Sequence, residues 1–298
     1  MIASSHYDRV TAGAGLVDRS DRAKFVVRGP EAADFLQGQV SNDVEALQPG
    51  TGCYATVLNH KGKLRTDLRI LRGEDWFWLD TEAIGHAVLR HMLQTYTVGR
   101  QVSHEDVTAT RALVSLLGPA ARAALEASPP EAEHSFVEGA SGLYVTTHLG
   151  MDVIGEPPLE LEVEPVSEEA AECLRIESGR PRLGYDMDAE TMPQEAGINE
   201  RAVSFTKGCY VGQETVARLH YKGKPNRHLR GLELAGPAKR GAEVRLGERV
   251  VGRVGSSCVS PRFGPIALAV LRREAEPGGS VTVDGSEARV VELPFSDG

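Results

Sequence analysis

The stretch Lys207-Gly208-Cys209-Tyr210-Val211-Gly212-Gln213-Glu214 is where residue type and spacing carry the most chemistry. Two glycines flank the Cys-Tyr pair. Glycine permits positive φ and close backbone approach, so the spacing predicts a tightly turned loop that presents a thiol and its amide groups to a ligand. Lys207 and its cationic neighbours would lower the thiol pKa and favour the thiolate. From Lys207 to Arg230 six cations (Lys207, Arg218, Lys222, Lys224, Arg227, Arg230) stand against one acid, Glu214, in a chain of formal net charge −9. A local reversal of that size suits an anionic ligand. Taken singly, the charges read as a solvated basic linker and the cysteine as a small buried hydrophobe. Their combination is what points to a working thiol.

Other chemistries lack support. Gly13-Ala14-Gly15 is not completed to a dinucleotide loop, and no P-loop, H-E-x-x-H or G-x-S-x-G pattern is present. The nine histidines are scattered. Cys53, Cys173, Cys209 and Cys258 stand far apart with no C-x-x-C, so neither a disulfide framework nor a metal site is expected. The acidic balance repels phosphate backbones, and aromatic interleaving within 207–230 is limited to Tyr210 and Tyr221, which disfavours nucleic acid as a partner. The longest apolar run, Ile266–Leu271, has six residues where a membrane-spanning helix needs about 20. Met1–Asp8 has neither the basic region nor the apolar stretch of a signal peptide, so a cytoplasmic location is expected.

The elements that would position these residues are mixed in order. Strands are expected at Phe25–Val27, Cys53–Leu58, Leu64–Leu71, Trp76–Leu79, Ala112–Leu117, Leu143–Thr147 and Leu159–Val163. The second and third should form a hairpin around Asn59–Lys63. Helices are expected over Pro30–Gln37 with Gly38 as its stop, after a Thr81 cap through Ile84, Val88, Leu89, Met92 and Leu93, and over the Ala-rich Pro119–Ala127. A further helix runs over Glu168–Ser178, capped by Ser167 and stopped at Gly179. This order suits α+β layers rather than a regular βαβ alternation. After about Pro225 the texture changes to short Val/Leu strands divided by Gly and Pro, the pattern of a small β-barrel. The expected division is therefore an α+β region over 1–224 and a barrel over 225–298.

The Lys207–Glu214 stretch resembles the K-G-C-Y-x-G-Q-E signature of the YgfZ family of folate-binding proteins, relatives of the glycine-cleavage T-protein, a tetrahydrofolate-dependent aminomethyltransferase. Other segments agree in order. Phe35-Leu36-Gln37-Gly38-Gln39-Val40-Ser41-Asn42-Asp43-Val44 and Pro49-Gly50 resemble the family's F-L-Q-G-Q segment, and Tyr54–Lys63 with Asp67-Leu68 resembles the segment after it. Arg175–Gly179, Pro193–Gly197, Ser260-Pro261 and Ile266–Ala269 continue the match, which covers nearly the whole chain.

The resemblance implies a fold: two interleaved α+β domains and a C-terminal β-barrel around a central folate-binding hole. It implies tetrahydrofolate or a folate derivative as cofactor. It also implies service in iron–sulfur cluster assembly or repair, with client or assembly proteins as partners and Cys209 as the functional thiol. Arg175 and the basic residues Arg218 and Arg227 would receive the glutamyl carboxylates. Asp67, in preference to Glu195, would accept from the pterin amino and ring N–H groups. The alternative is a folate-dependent aminomethyl- or methyltransferase with Asp67 as the key carboxylate. Thr66-Asp67 stands where the T-protein has paired aspartates, and Leu149-Gly150-Met151-Asp152 is the nearest counterpart of its G-Y-T-G-E stretch. Both departures weigh against aminomethyl transfer and leave the folate site.

Overall fold

The computed structural model describes residues 4–296. Its first part runs α1 (Ser4–Ala12), β1 (Gly15–Asp18), β2 (Ala23–Arg28), α2 (Ala32–Gln39), β3 (Thr51–Leu58), β4 (Leu64–Arg72), β5 (Trp76–Thr81), α3 (His86–Tyr96) and β6 (Ser103–Asp106). It continues through β7 (Ala112–Leu117), β8 (Phe136–Gly139), β9 (Gly142–Thr147), β10 (Gly150–Gly155), α4 (Glu168–Glu177), α5 (Asn199–Ala202) and α6 (Gln213–Lys222). The strands form two five-stranded sheets, ordered β3-β4-β5-β2-β6 and β1-β7-β10-β9-β8. Because β1 precedes and β7 follows the strands of the other sheet, the two layers are interleaved in sequence.

Strand alternation decides what each layer buries. Leu68 and Ile70 of β4 point to one face, where with Phe25, Val27 and Leu79 they pack on Phe35 and Leu36 of α2 and on Leu89, Met92 and Leu93 of α3. Asp67, Arg69 and Leu71 point to the other face, toward the second sheet. There Leu71 and Trp78 meet Leu113, Phe136, Val145 and Ile154. The seam between the sheets is apolar at that end and polar at the end holding Asp67 and Arg69.

The third unit is a closed six-stranded barrel of β11 (Arg227–Leu234), β12 (Glu243–Leu246), β13 (Arg249–Ser260), β14 (Gly264–Arg272), β15 (Ser280–Val283) and β16 (Ser286–Val291). Ala267, Ala269 and Leu271 of β14 face the barrel interior, while Ile266 and Leu268 face Ile176 of α4 and Phe295. Two buried faces explain the uninterrupted apolar run Ile266–Leu271. A bulge in β13 between Val254 and Ser257 lets Ser256 reach Asp186, its N–H donating to Oδ1 (2.7 Å) and its hydroxyl to Oδ2 (2.9 Å).

Four local expectations are corrected. Helix α2 continues through Gly38 to Gln39. Thr81 ends β5, its hydroxyl bonded to that of Thr66 (2.9 Å), and a 3-10 turn at Ala83–Gly85 with Ile84 exposed precedes α3. Only a 3-10 turn, Arg122–Ala124, forms within 119–127, where Arg122 turns back to the Pro129 carbonyl. Leu159–Val163 is no strand: Leu159, Leu161 and Val163 lie as irregular chain over the outer face of β7 and β10.

The signature segment also differs from a bare loop and linker. After a short loop it becomes α6, with Gly212 in the N-cap position at φ +86°. A Cβ on Gly212 would stand 2.5 Å from the Asn59 carbonyl oxygen and 3.2 Å from Gly62 Cα. The β3–β4 turn and the signature segment thus meet glycine against glycine. Gly212→Ala is expected to destabilise the fold by about 2 kcal/mol, since both the left-handed φ and the close approach are violated. Gly208→Ala, where a Cβ meets nothing within 4 Å, should change stability by less than about 0.5 kcal/mol. Urea denaturation of the two variants checks this, and equal effects would contradict the packing assigned to Gly212.

Candidate functional site: a charged cavity between the two sheets

The polar end of the seam opens into a cavity of about 230 Å³. Its chemistry is set by a chain of buried charges. Arg69 donates from Nε to Asp80 Oδ2 (2.7 Å) and from Nη1 to Asp152 Oδ2 (2.6 Å), tying β4 and β5 of one sheet to β10 of the other. Ser115 of β7 donates to the second oxygen of Asp152 (2.6 Å), and Trp78 Nε1 donates to Asp80 (2.9 Å). Arg22 adds Nε to Asp80 Oδ1 (2.9 Å) and Nη1 to Glu82 (2.6 Å). Burial works against the Asp80 carboxylate, but Arg69 and Arg22 outweigh it and hold its pKa down at about 2.

Two buried polar atoms on this wall have no protein partner, Arg69 Nη2 and His134 Nδ1. A buried donor left unpaired costs about 1–3 kcal/mol, so such atoms call for a ligand or water in the cavity. Asp67 lines the same space. Its carboxylate accepts the Tyr54 hydroxyl (2.6 Å), and burial pushes its pKa up against that bond. The Arg201 guanidinium lies 4.9 Å from the Tyr54 ring centroid. Among the described residues no carboxylate pairs with it, so it is the cation of the wall left for an anionic group. The wall also carries Glu133, which Arg180 holds in a two-pronged contact at 3.1 Å.

Arg175 borders the cavity with its donors already spent. Nε and Nη2 go to Glu172, Nη1 to the Arg180 carbonyl and to Asp186, and Nη2 also to Ser256 of the barrel. A guanidinium has five N–H donors. Arg175 is thus a strut between α4, the 180–186 segment and β13 rather than the open cation expected for a glutamyl tail. Glu195 and Arg227 do not line the cavity. They pair with each other (2.9 and 2.8 Å) and fasten the 190–195 segment to β11, while the Met192 N–H donates to Glu195. Arg218 is on α6, also outside.

The signature residues divide by role. The Lys207 ammonium is buried and donates to the carbonyls of Gln37 (2.7 Å), Val40 (2.9 Å) and Asn42 (2.7 Å), closing the C-terminal end of α2. Burial brings its pKa down to about 8. Lys207 faces Cys53, whose thiol is pushed up to about 12 by burial against the Lys207 charge, and not the signature thiol as expected. The Tyr210 ring is buried among Leu58, Leu64 and Val216. Gln213 and Glu214 form the first turn of α6, and Gly208 is exposed. Cys209 is exposed on the outer surface, away from the cavity lining. Among the described residues no group of three or more His, Cys, Asp or Glu is placed to hold a metal ion, and no helix is long and apolar enough to cross a membrane.

Sequence reasoning reached Asp67 but missed Arg69, Asp80, Asp152, Tyr54, His134 and Arg201. The alternation Asp67-Leu68-Arg69-Ile70-Leu71 contained a signal, since two charged residues two apart share one face of an otherwise apolar strand.

Two sheets in face-to-face contact, a charged hole at one end of their seam and a docked six-stranded barrel define a T-protein-like α+β protein. A model of the GCVT N-terminal domain matches residues 2–140, and one of the glycine cleavage T-protein C-terminal barrel domain matches residues 227–297. The glycine cleavage system aminomethyltransferase T from Bartonella henselae superposes with a TM-score of 0.88 at 25% identity, covering 98% of this chain and 89% of that one. The aminomethyltransferase of Rubrobacter xylanophilus is 30% identical over 98% of this chain and 85% of its own length. The tRNA-modifying protein YgfZ of Serratia proteamaculans is 30% identical over 78% of this chain and 76% of its own. The chain belongs to the family of the glycine cleavage T-protein and YgfZ, whose members bind tetrahydrofolate or folate derivatives.

Burial, with the Arg69 charge adding to it, lowers the His134 pKa to about 4, and burial with Arg180 lowers that of His148, on the same wall, to about 3. Both imidazoles are neutral in the fold. Below about pH 6.5 the unfolded chain takes up protons that the folded chain refuses until those lower values, so stability falls as pH drops from about 6.5 toward 4. Each histidine contributes at most about 1.4 kcal/mol per pH unit. Unfolding temperatures across pH 4–7 should show a decline that His134→Asn and His148→Asn flatten; an unchanged slope in the double variant would contradict the assignment.

Proposed function

We propose that this chain is a tetrahydrofolate-binding accessory protein for iron–sulfur cluster assembly or repair in the cytoplasm, with Cys209 as its working thiol. The observation that carries the folate half is the pairing of a buried carboxylate with an unpartnered guanidinium donor in one cavity. A pterin presents an amino group and a ring N–H beside a carbonyl. Asp67 would accept from the first two, and Arg69 Nη2 would donate to a ring acceptor. Arg201 would face the carboxylates of the glutamyl tail, in place of the spent Arg175. Bound tetrahydrofolate supplies nitrogen atoms able to carry a one-carbon unit.

The thiol half rests on separation. Lys207, Tyr210 and Gly212 are consumed in packing, while Cys209 is left exposed in the loop they fix. A thiol held out to solvent meets a protein partner rather than the cavity's ligand, which suits client or assembly proteins.

A second reading, folate-dependent aminomethyl transfer, is favoured by one feature. Burial raises the Asp67 pKa beside Tyr54, giving a carboxyl able to exchange a proton within the cavity. Against it, Thr66 occupies the preceding position and spends its hydroxyl on Thr81 and the Asp67 carbonyl.

Calorimetric titration with tetrahydrofolate should give saturable binding that Asp67→Asn weakens at least about tenfold, the loss expected for one charge-assisted contact. Cys209→Ser should bind folate as wild type and fail to restore an iron–sulfur enzyme's activity in cells lacking this chain. Undiminished folate binding by Asp67→Asn, or full restoration by Cys209→Ser, would contradict the corresponding half. Folate-dependent turnover of an aminomethyl donor, lost in Asp67→Asn, would favour the second reading.

A further inference from the structure

Two cysteines distant in sequence meet behind the cavity wall. Cys173 is on the buried face of α4 and Cys258 is on β13, with their sulfur atoms 3.5 Å apart. The Cys258 thiol donates to the Cys173 sulfur, and the Cys173 thiol donates to Glu177 Oε1 at 3.3 Å. The same carboxylate oxygen accepts the hydroxyls of Tyr7 (2.8 Å) and Ser260 (2.5 Å), which hold it in place from α1 and from the end of β13. Cys173 is fully buried, whereas Cys258 is half-buried at the edge of the cluster of Ile176, Leu229 and Ile266. Among the described residues no other pair of thiols is in contact. A disulfide S–S bond is about 2.05 Å long, so an approach of roughly 1.5 Å by two side chains joins them.

We infer that Cys173 and Cys258 form a redox modification site, a dithiol that hydrogen peroxide converts into a disulfide joining α4 to the barrel. The neighbouring Cys258 sulfur, burial and the Glu177 carboxylate push the Cys173 thiol well up, so the more accessible Cys258 reacts first. Its sulfur attacks one peroxide oxygen and the O–O bond breaks. The departing hydroxide takes the Cys258 proton, leaving a sulfenic acid and one water. The Cys173 sulfur then attacks the Cys258 sulfur and gives its proton to Glu177. The S–O bond breaks, and the hydroxide leaves as a second water with that proton. The two thiols are oxidised by two electrons, and one peroxide is reduced to two waters.

The place of the bond gives it a consequence. Helix α4 also carries Arg175, which already straps the cavity wall to Ser256 of β13. A covalent tie between the same two elements makes that strap permanent. Cys209, exposed and without a thiol neighbour, takes no part.

The test treats the full chain with hydrogen peroxide at neutral pH, alkylates free thiols and maps peptides without reduction. The expected product is the peptide bearing Cys173 cross-linked to that bearing Cys258, lighter than the reduced pair by two hydrogens and released by dithiothreitol. Cys209 should never be found in that link. Oxidation should also raise the unfolding temperature of wild type and of Cys209→Ser, but not of Cys258→Ser. Recovery of Cys173 and Cys258 on separate peptides, whatever the oxidation state of Cys258, would overturn the inference without touching the folate site.

Discussion

Arg69 is the pivot of this structure. Its guanidinium is buried between two sheets and held by Asp80 from one and Asp152 from the other. Charges taken out of water are tolerated only when paired and hydrogen-bonded, and removing one partner of such a pair costs about 3–5 kcal/mol. The network therefore fixes how the two sheets meet. It also keeps that end of the seam from collapsing: where the facing residues are Leu71, Trp78, Leu113 and Ile154 the sheets close on each other, and where they are Asp67, Arg69, Asp80 and Asp152 a cavity remains. The hole is the polar continuation of the core, and the free Nη2 of Arg69 is the part of the pivot that faces it.

The same economy of contacts governs the signature segment. Its most characteristic residues are architectural. Lys207 closes the end of α2, Tyr210 fills a core cluster, and Gly212 lets the segment touch the β3–β4 turn at Gly62. Together they join the first sheet to α6. Since β4 starts from that turn, the segment also steadies the strand that carries Asp67 and Arg69. Cys209 is the residue this packing leaves over, presented on a rigid base at the outer surface. Cavity and thiol are thus parts of one packed unit that face different surroundings.

Much of the fold could be read from the sequence. Short runs of aliphatic, β-branched and aromatic residues located β2, β4, β5 and β7, the Ser167 cap and Gly179 framed α4, and the Val/Leu strands divided by Gly and Pro indicated the barrel. Helix α6 escaped because its run is polar, with Val216 its one buried residue, so no apolar stripe marks it. Leu159–Val163 misled for the converse reason: its alternating leucine and valine side chains do bury, but on a sheet face instead of within a ladder. At the site, Asp67 was legible and Arg175 only by position. What Arg175 binds depends on Glu172, Asp186 and Ser256, which converge from three elements. The partners of Arg69 are likewise 11 and 83 residues away along the chain. Local pattern carries no information about such pairings, so the network that opens the cavity appears only once the two sheets are set against each other.

The most direct test of this account is a crystal structure of the chain with tetrahydrofolate. The account predicts the pterin within the inter-sheet cavity, its amino edge on the Asp67 carboxylate, Arg69 Nη2 no longer unpaired, and Cys209 still at the surface. Folate bound elsewhere, or a pterin in the cavity that leaves both Asp67 and Arg69 Nη2 without contact, would contradict it.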